Sequence, residues 1–544
     1  MSQRIFVLAL DGATFDLIKP WAQAGHLPAL ARLLEQGAHG PLASTLPPVT
    51  SPAWPSFMTG VNPGKHGVFD FIEARAGSFN VVNATSIRSP SLWELLSAAG
   101  RRVGVLNVPV TYPPPPVNGF LVAGLLAPPG REIAYPPGFL ARYEAELGPY
   151  RVTPGVQHKL GNEDVFIADL ENLMEQRTRY ALRLMQAEAW DFFMVHYLAL
   201  DVAQHALWWA MDATHPRHDA ESATRYGNAI RHLYQRADAA LGQYLDQLPD
   251  DTTVVVMSDH GFGPLHWVVN LNLLLLEAGL LHLKRNPWVQ LKAALFRRGL
   301  TPAAVYRQLA RFGLQNVVWR VSRQVRNKIV DSFLSFEDVD WSRTQAYSMG
   351  HVGQIYVNVR GREPQGMVEP GEVEEVLQRV VTALESLRDP DSGRPLLERV
   401  VRGSEAAHGP YAGRAPDLHV VLDNYRCIAF PLFAADGRIV TRQIRGDSGS
   451  HRREGILLVW GPGVPAGATI QGARIEDVAP TILHLLGLPV PEYMDGRPLD
   501  VVGGSPLVAS PAMEYETAAT DYQPLSAEEE AAVQARLRGL GYLG

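Results

Sequence analysis

Cysteine is almost absent from this 544-residue chain, which has one, Cys427. That excludes an intramolecular disulfide and any zinc site built from several thiolates. Long apolar runs are missing too: no stretch approaches the roughly 18 consecutive apolar residues that read as a membrane span. Positive charge is not in excess. With 49 Lys and Arg against 56 Asp and Glu the net charge is −7, so the chain as a whole is not a basic nucleic-acid binder and no nucleic acid is expected as a partner. The start, MSQRIFVLALDG, has no cleavage site of the signal-peptide kind. One arginine and a short apolar run lead straight into Asp11, which reads as a first β-strand. A chain with one cysteine and no such leader is expected in the cytoplasm.

What is present is the composition of a soluble globular protein, 46% hydrophobic and 19% charged. A length of 544 residues exceeds what one ordinary core supports, about 250–300. One large domain with insertions, or two domains, is expected. Apolar, β-rich runs end in turn residues and alternate with helical stretches: Arg4–Leu10, Arg102–Asn107, Asp191–Tyr197, Thr252–Met257 and Gly455–Trp460. Such runs predict an α/β fold with a mainly parallel central sheet and helices on both faces. Ligands in such folds bind beyond the carboxyl ends of the strands. Helices are expected over 163–188, 218–247 and 481–486, and the Ser526-x-x-Glu529 capping-box pattern opens a last one.

The segment Ala278–Val330 differs from the rest. It holds eleven Lys or Arg and no Asp or Glu, with Trp288, Phe296, Tyr306, Phe312 and Trp319 interleaved. It reads as inserted helices outside the main sheet. The expected organisation is an α/β framework over 1–275 and 346–505, a basic helical insertion or cap at 276–345, and a tail at 506–544. Three readings of the insertion stay open: a solvated face, a cap that draws in an anionic substrate, or peripheral contact with an anionic membrane through 284–328.

Polar clusters recur at the strand ends: Asp11, Thr50-Ser51-Pro52, Asp201-x3-His205, Asp259-His260-Gly261, and His451 in SGSHRREG. Together they offer three aspartates, three histidines and a hydroxyl, about what two metal ions with nitrogen and oxygen ligands need. Two such ions can clamp a phosphoryl group between them. Asp201 and His205, four apart, would share one face of a helix and one metal. Asp259 and His260 are adjacent and diverge, so they are free to serve different metals.

With these residues in view, the sequence resembles the alkaline phosphatase superfamily in its type I phosphodiesterase/nucleotide pyrophosphatase branch. The matching stretches are LALDG at 8–12, TSPAWPSFMTGVNPGKHGVFDF at 50–71, LDVAQH at 200–205, SDHGFG at 258–263, GSHRREGILLVWGPG at 449–463 and DVAPTILHLLGLPVPEYMDGRPL at 477–499. The resemblance implies a hydrolase of phosphoric esters acting through a covalent phosphothreonine. Thr50 would be the nucleophile. Asp11, Asp259 and His260, completed by Thr50, would hold one divalent ion, and Asp201, His205 and His451 the other. Zn²⁺ suits such ligands, with Mn²⁺ as the alternative. The implied partner is a small phosphate-ester substrate.

The chain departs from that pattern in places. Leu200 and Gln204 replace a usual proline and glycine around Asp201. Phe71 stands where nucleotide pyrophosphatases carry a donating asparagine, and its neighbour Asp70 cannot donate when ionised. The missing donor is Asn107 or a backbone N–H. Ser51 is an alternative nucleophile. Lys65 and His266 are candidate substrate contacts, while His66, His196 and Arg360 read as structural. Two further readings are weighed: a phosphomonoesterase or phosphomutase of the same superfamily, and a pseudoenzyme that binds an anionic ligand. A sulfatase is disfavoured, because Thr50-Ser51-Pro52-Ala53-Trp54 lacks the cysteine and arginine that it needs. The sequence leaves oligomeric state and the alcohols on either side of the phosphorus open.

Overall fold

A computed structural model describes residues 4–75, 78–297, 336–350, 352–430, 438–443, 446–501 and 525–540. Among these, ten strands form the central sheet. Arg4–Leu10 lies in its middle, parallel to Thr252–Met257 on one side and to Phe192–Tyr197 on the other. Val103–Leu106 and Gly119–Val122 continue the parallel run outward from Phe192–Tyr197. On the opposite side Glu454–Trp460 is antiparallel to both Thr252–Met257 and Ala38–Ala43. An apolar run carries no direction, so its sequence does not distinguish this strand from its parallel neighbours.

The apolar runs are continuous because both faces of the sheet are covered. Phe6, Leu8 and Leu10 enter one core with Phe193, Val195, Val254 and Val256. Ile5, Val7 and Ala9 enter the other with Phe192, Met194, Val255 and Met257. This is the two-residue alternation of a pleated strand with both faces buried. Glu163–Ala187, Ala199–Met211 and Ala229–Leu245 give apolar residues to the first core. Thr50–Thr59, Leu92–Ala98 and Val478–Leu485 give theirs to the second. The single helix expected over 218–247 is two, Ala220–Tyr226 and Ala229–Leu245. The break falls at Gly227-Asn228, two poor helix formers in succession.

A second, smaller body of structure has its own core, built around Leu274, Leu275, Ile355, Val380 and Leu418. Its antiparallel sheet runs Ala346–Ser348, Gln354–Val357, Leu418–Leu422, Leu397–Arg402. The strand-like GQIYVNVRG therefore pairs here rather than in the central sheet. Of the basic insertion, Pro287–Arg297 is a helix that leaves Trp288, Leu291 and Leu295 exposed, and Lys292 pairs with Asp338 at 3.2 Å. The remainder, 298–335, lies outside the described residues, as do 502–524 of the tail. The capping box is formed as expected: Ser526 N–H donates to Glu529 at 2.7 Å, and the Glu529 N–H donates back to the Ser526 hydroxyl at 3.2 Å, opening Ala527–Gly539. No helix among the described residues is long and apolar enough to cross a membrane.

Candidate metal centre

Strand register brings the carboxylates together. Ala9 pairs with His196 on one side and Met257 on the other. Asp11 and Asp259 each stand two residues beyond that level, so they leave adjacent strands side by side. Gly12 turns the chain at φ 67°, and a Cβ there would lie 2.9 Å from the Phe262 ring, so the turn requires glycine. Asp201 and His205 sit one helical turn apart on Ala199–Met211, which begins directly after the strand Phe192–Tyr197. Gln204, in place of the usual glycine, ties this helix to the Asp11 turn by donating to the Gly12 carbonyl at 2.9 Å. His451 comes from Gly449–Arg452, antiparallel to Gly261–Pro264, with Phe262 opposite it. Thr50 opens the helix Thr50–Thr59, where the early Pro52 is tolerated because first-turn N–H groups have no intrahelical partner.

These side chains converge and are buried. Asp201 Oδ1 lies 3.3 Å from His451 Nε2, 3.6 Å from His205 Nε2 and 3.9 Å from His260 Nε2. His260 Nε2 is 3.3 Å from Asp259 Oδ2, 3.6 Å from Asp11 Oδ1 and 3.3 Å from the Thr50 hydroxyl oxygen. Two groups of three are close enough to hold an ion: Asp201, His205 and His451, and Asp11, Asp201 and His260. Asp201 belongs to both.

The outward ring nitrogens reveal what the inward ones must be. His205 Nδ1 faces the Gly449 carbonyl at 3.2 Å, His260 Nδ1 that of Gly261 at 3.1 Å, and His451 Nδ1 that of Pro48 at 2.8 Å. A carbonyl only accepts, so each Nδ1 carries the proton. In the neutral ring each Nε2 then faces inward as an acceptor. His205 Nε2 and His451 Nε2 lie 2.9 Å apart, an unfavourable contact for two lone pairs with no cation to share. Asp11 Oδ1 and Asp259 Oδ2 are buried without a hydrogen-bond partner. Buried unpaired acceptors are costly, and here they surround one space. This donor set fits divalent metal ions, as does the outward Nδ1 bonding that fixes each imidazole.

The electrostatics agree. Burial, and then the charges of Asp259 and Asp201, push Asp11 well above the ordinary carboxylate range. Burial and the Asp201 charge push Asp259 up to about 7. For Asp201 burial acts upward, but His205 and His451 outweigh it and hold the group below its ordinary value. Burial above all pulls His260 well down, which keeps that ring neutral. Without added positive charge, three carboxylates in this dry space cannot all be ionised.

The other candidates are placed differently. Asn107 is buried with φ 67°, and its amide donates to the Val152 carbonyl at 3.3 Å. Lys65 Nζ donates to Asp495 at 2.6 Å and to the Tyr493 carbonyl at 2.8 Å. His266 stacks edge-on beside His215, with ring centroids 5.8 Å apart. Phe71 is a core residue, and its N–H donates to Asp70 at 2.6 Å. Ser51 is buried with its hydroxyl unpartnered. Arg360 pairs with Glu369 at 2.5 Å. Cys427 lies on the strand Cys427–Phe430 of a separate small sheet, where burial pushes its thiol up to about 12.

His66 is structural. Its Nε2 lies 2.9 Å from the Ser56 hydroxyl, and burial holds it down at about 3. The folded state keeps this ring neutral, while the unfolded chain protonates it below about 6.5. Its contribution is complete above that value and is lost as pH falls from there toward the folded value. His66→Gln is therefore expected to flatten the acid limb of a plot of urea midpoint against pH over that window. An unchanged limb would remove this histidine from the acid unfolding.

Sequence reasoning missed three supports of the cluster. His196 Nε2 lies 2.8 Å from Asp11 Oδ2, and Trp54 Nε1 donates to the same oxygen at 3.4 Å. Asp447 Oδ2 stands 3.5 Å from His205 Nδ1. The one available signal for His196 was a histidine in a fully apolar strand, beside the strand that ends at Asp11.

The family model described as type I phosphodiesterase / nucleotide pyrophosphatase matches residues 5–429. A 2,3-bisphosphoglycerate-independent phosphoglycerate mutase of Cereibacter sphaeroides is 52% identical over 44 residues, 8% of this chain and 8% of that protein. GPI ethanolamine phosphate transferase 2 of Eremothecium gossypii is 29% identical over 105 residues, 19% of this chain. The matching stretches thus span only 8% and 11% of those two relatives' own lengths. Among solved structures, phosphonoacetate hydrolase from Sinorhizobium meliloti 1021, in complex with phosphonoacetate, superposes with a TM-score of 0.53 at 16% identity. That likeness covers 88% of this chain and 94% of the other, and it concerns the fold.

Proposed function

This chain belongs to the type I phosphodiesterase / nucleotide pyrophosphatase family, and from that membership we propose that it hydrolyses a small phosphodiester or pyrophosphate through a covalent phosphothreonine at Thr50. The observation that carries the reading is the convergence of three inward-facing Nε2 atoms and of the unpartnered Asp11 Oδ1 and Asp259 Oδ2 beside the Thr50 hydroxyl. In this reading Asp11, Asp259 and His260, completed by Thr50, would hold one divalent ion and Asp201, His205 and His451 the other, with Asp201 also within reach of the first through Asp11 and His260; the ions would supply positive charge to the phosphoryl oxygens and to the attacking and leaving groups. Their nitrogen and oxygen donors suit Zn²⁺ first and Mn²⁺ second.

The protein's own contribution is position. Thr50 is held at the first turn of a buried helix, so its hydroxyl oxygen meets the phosphorus without a search through rotamers and solvent. The first N–H groups of that helix, at Thr50 and Ser51, have no intrahelical partner and suit a phosphoryl oxygen. They take the place of the absent asparagine donor. Attack by Thr50 Oγ1 forms the bond to phosphorus as the bond to the leaving alkoxide or phosphate breaks, and the proton given up by the Thr50 hydroxyl ends on that leaving group. Water then opens the phosphothreonine along the reverse path. The single buried thiol suits a reducing compartment, and we place the chain in the cytoplasm on that ground.

A chromogenic phosphodiester and its monoester, assayed with and without chelator, test the reading. Turnover of the diester that exceeds that of the monoester and stops on chelation is expected. Preference for the monoester would favour the phosphomonoesterase or phosphomutase reading, which the short likeness to a phosphoglycerate mutase supports. Chelator-insensitive assays with no turnover of either would leave a binding protein.

A further inference from the structure

We propose that His196 is a positioning residue for Asp11: its Nε2–H holds one carboxylate oxygen so that the other alone is presented to the metal centre. The inference rests on the two-ion reading given above and goes beyond it, because His196 touches none of the reacting groups.

Asp11 has its two oxygens in different company. Oδ2 accepts from His196 Nε2 at 2.8 Å and from Trp54 Nε1 at 3.4 Å. Oδ1 has no hydrogen-bond partner and faces His260 Nε2 at 3.6 Å. A carboxylate with two equivalent oxygens can rotate and offer either one. Two donors on one oxygen remove that freedom and leave a single lone-pair set aimed at the cluster.

The placement of His196 is otherwise costly. It is fully buried in Phe192–Tyr197, a strand whose other residues are apolar except for the tyrosine hydroxyl. A buried imidazole is tolerated only when it is hydrogen-bonded, and the bond found here goes to Asp11. One neighbour packs on the ring and another fixes the residue's backbone. Trp54 lies edge-on to it, with centroids 4.9 Å apart at 88°, and Arg177 Nη1 donates to the His196 carbonyl at 2.9 Å. Its tautomer is the reverse of the three cluster histidines. They carry the proton at Nδ1 and turn Nε2 inward as an acceptor; with Asp11 ionised, as bound cations would make it, His196 carries its proton at Nε2, and its buried Nδ1 has no hydrogen-bond partner. The same residue type thus serves two roles, chosen by whether a carbonyl or a carboxylate lies beside it. Trp54 belongs to the helix that Thr50 opens, so the brace also ties the nucleophile's helix to the Asp11 oxygen.

The test is equilibrium dialysis of the full chain against a buffered Zn²⁺ series. The two-ion reading expects the unaltered protein to take up two ions. His196→Phe keeps the ring and removes the donor. It is expected to weaken one of the two sites by about 10–100-fold and to leave the other unchanged. His196→Gln, which restores an N–H at similar reach, is expected to recover most of the loss. If the phenylalanine variant does not fold, His196→Met fills similar space without a donor and serves in its place. A donor-less variant that binds both ions as tightly as the unaltered chain overturns the positioning role and spares the two-ion reading. An unaltered chain that binds no Zn²⁺ overturns both.

Discussion

Thr50→Ala is expected to abolish steady turnover of a phosphodiester, a loss on the order of 10³-fold or more, as for nucleophiles that act as a unit with their surroundings. Both ions should stay bound, because neither of the two groups close enough to hold one, Asp201 with His205 and His451 and Asp11 with Asp201 and His260, includes Thr50; at most the ion that Thr50 would complete is held more weakly. The neighbouring Ser51→Ala, by contrast, is expected to keep most of the activity. Ser51 Oγ is buried without a partner, whereas the Thr50 oxygen lies 3.3 Å from His260 Nε2. A phosphorylated peptide containing Thr50, recovered after rapid acid quench and absent from the alanine variant, would identify the nucleophile directly. The reverse pattern, with Ser51→Ala dead and Thr50→Ala active, would move the covalent step to the serine and leave the metal centre as described.

Asp201→Asn is expected to cost both ions rather than one. Its Oδ1 is the oxygen that stands within 3.3–3.9 Å of the Nε2 atoms of His451, His205 and His260, and Asp201 is common to both candidate groups. The asparagine keeps the shape but removes the charge that offsets two cations in a buried space. Affinity at both sites should fall by more than about 100-fold, and turnover should fall to the level of the chelated enzyme. Asp259→Asn, beside His260 and Asp11 and outside both groups that share Asp201, is expected to affect one ion. Metal content of the two variants side by side checks this. Equal single losses would show that Asp201 serves one site only.

Much of this arrangement was legible in the residues. Arg4–Leu10 and Thr252–Met257 announce themselves as buried strands. Asp11-Gly12 comes directly after the first, and Asp259-His260-Gly261 closes the turn after the second, at strand ends where α/β folds place their ligands. The i, i+4 spacing of Asp201 and His205 needed only a helix to become a pair. What the sequence withheld is whatever depends on register between distant strands. That Ala9 pairs with His196 is a property of tertiary packing, so the residues read His196 as a satisfied core histidine, as its burial shows, without giving Asp11 as the partner that satisfies it. The same limit hid the antiparallel sense of Glu454–Trp460 and the separate small sheet to which Gln354–Val357 belongs. Lys65 stood near the nucleophile in sequence but is spent on Asp495, a partner 430 positions away. Chain proximity and side-chain direction are different quantities, and only folding decides the second.

The central claim is a two-metal centre, and the most direct measurement is elemental analysis of the full chain purified without chelator, paired with diester turnover on the same sample. The account predicts two divalent ions per chain, with activity lost and regained as they are removed and restored. A chain that turns over a phosphate ester at full rate with no bound divalent metal would contradict it.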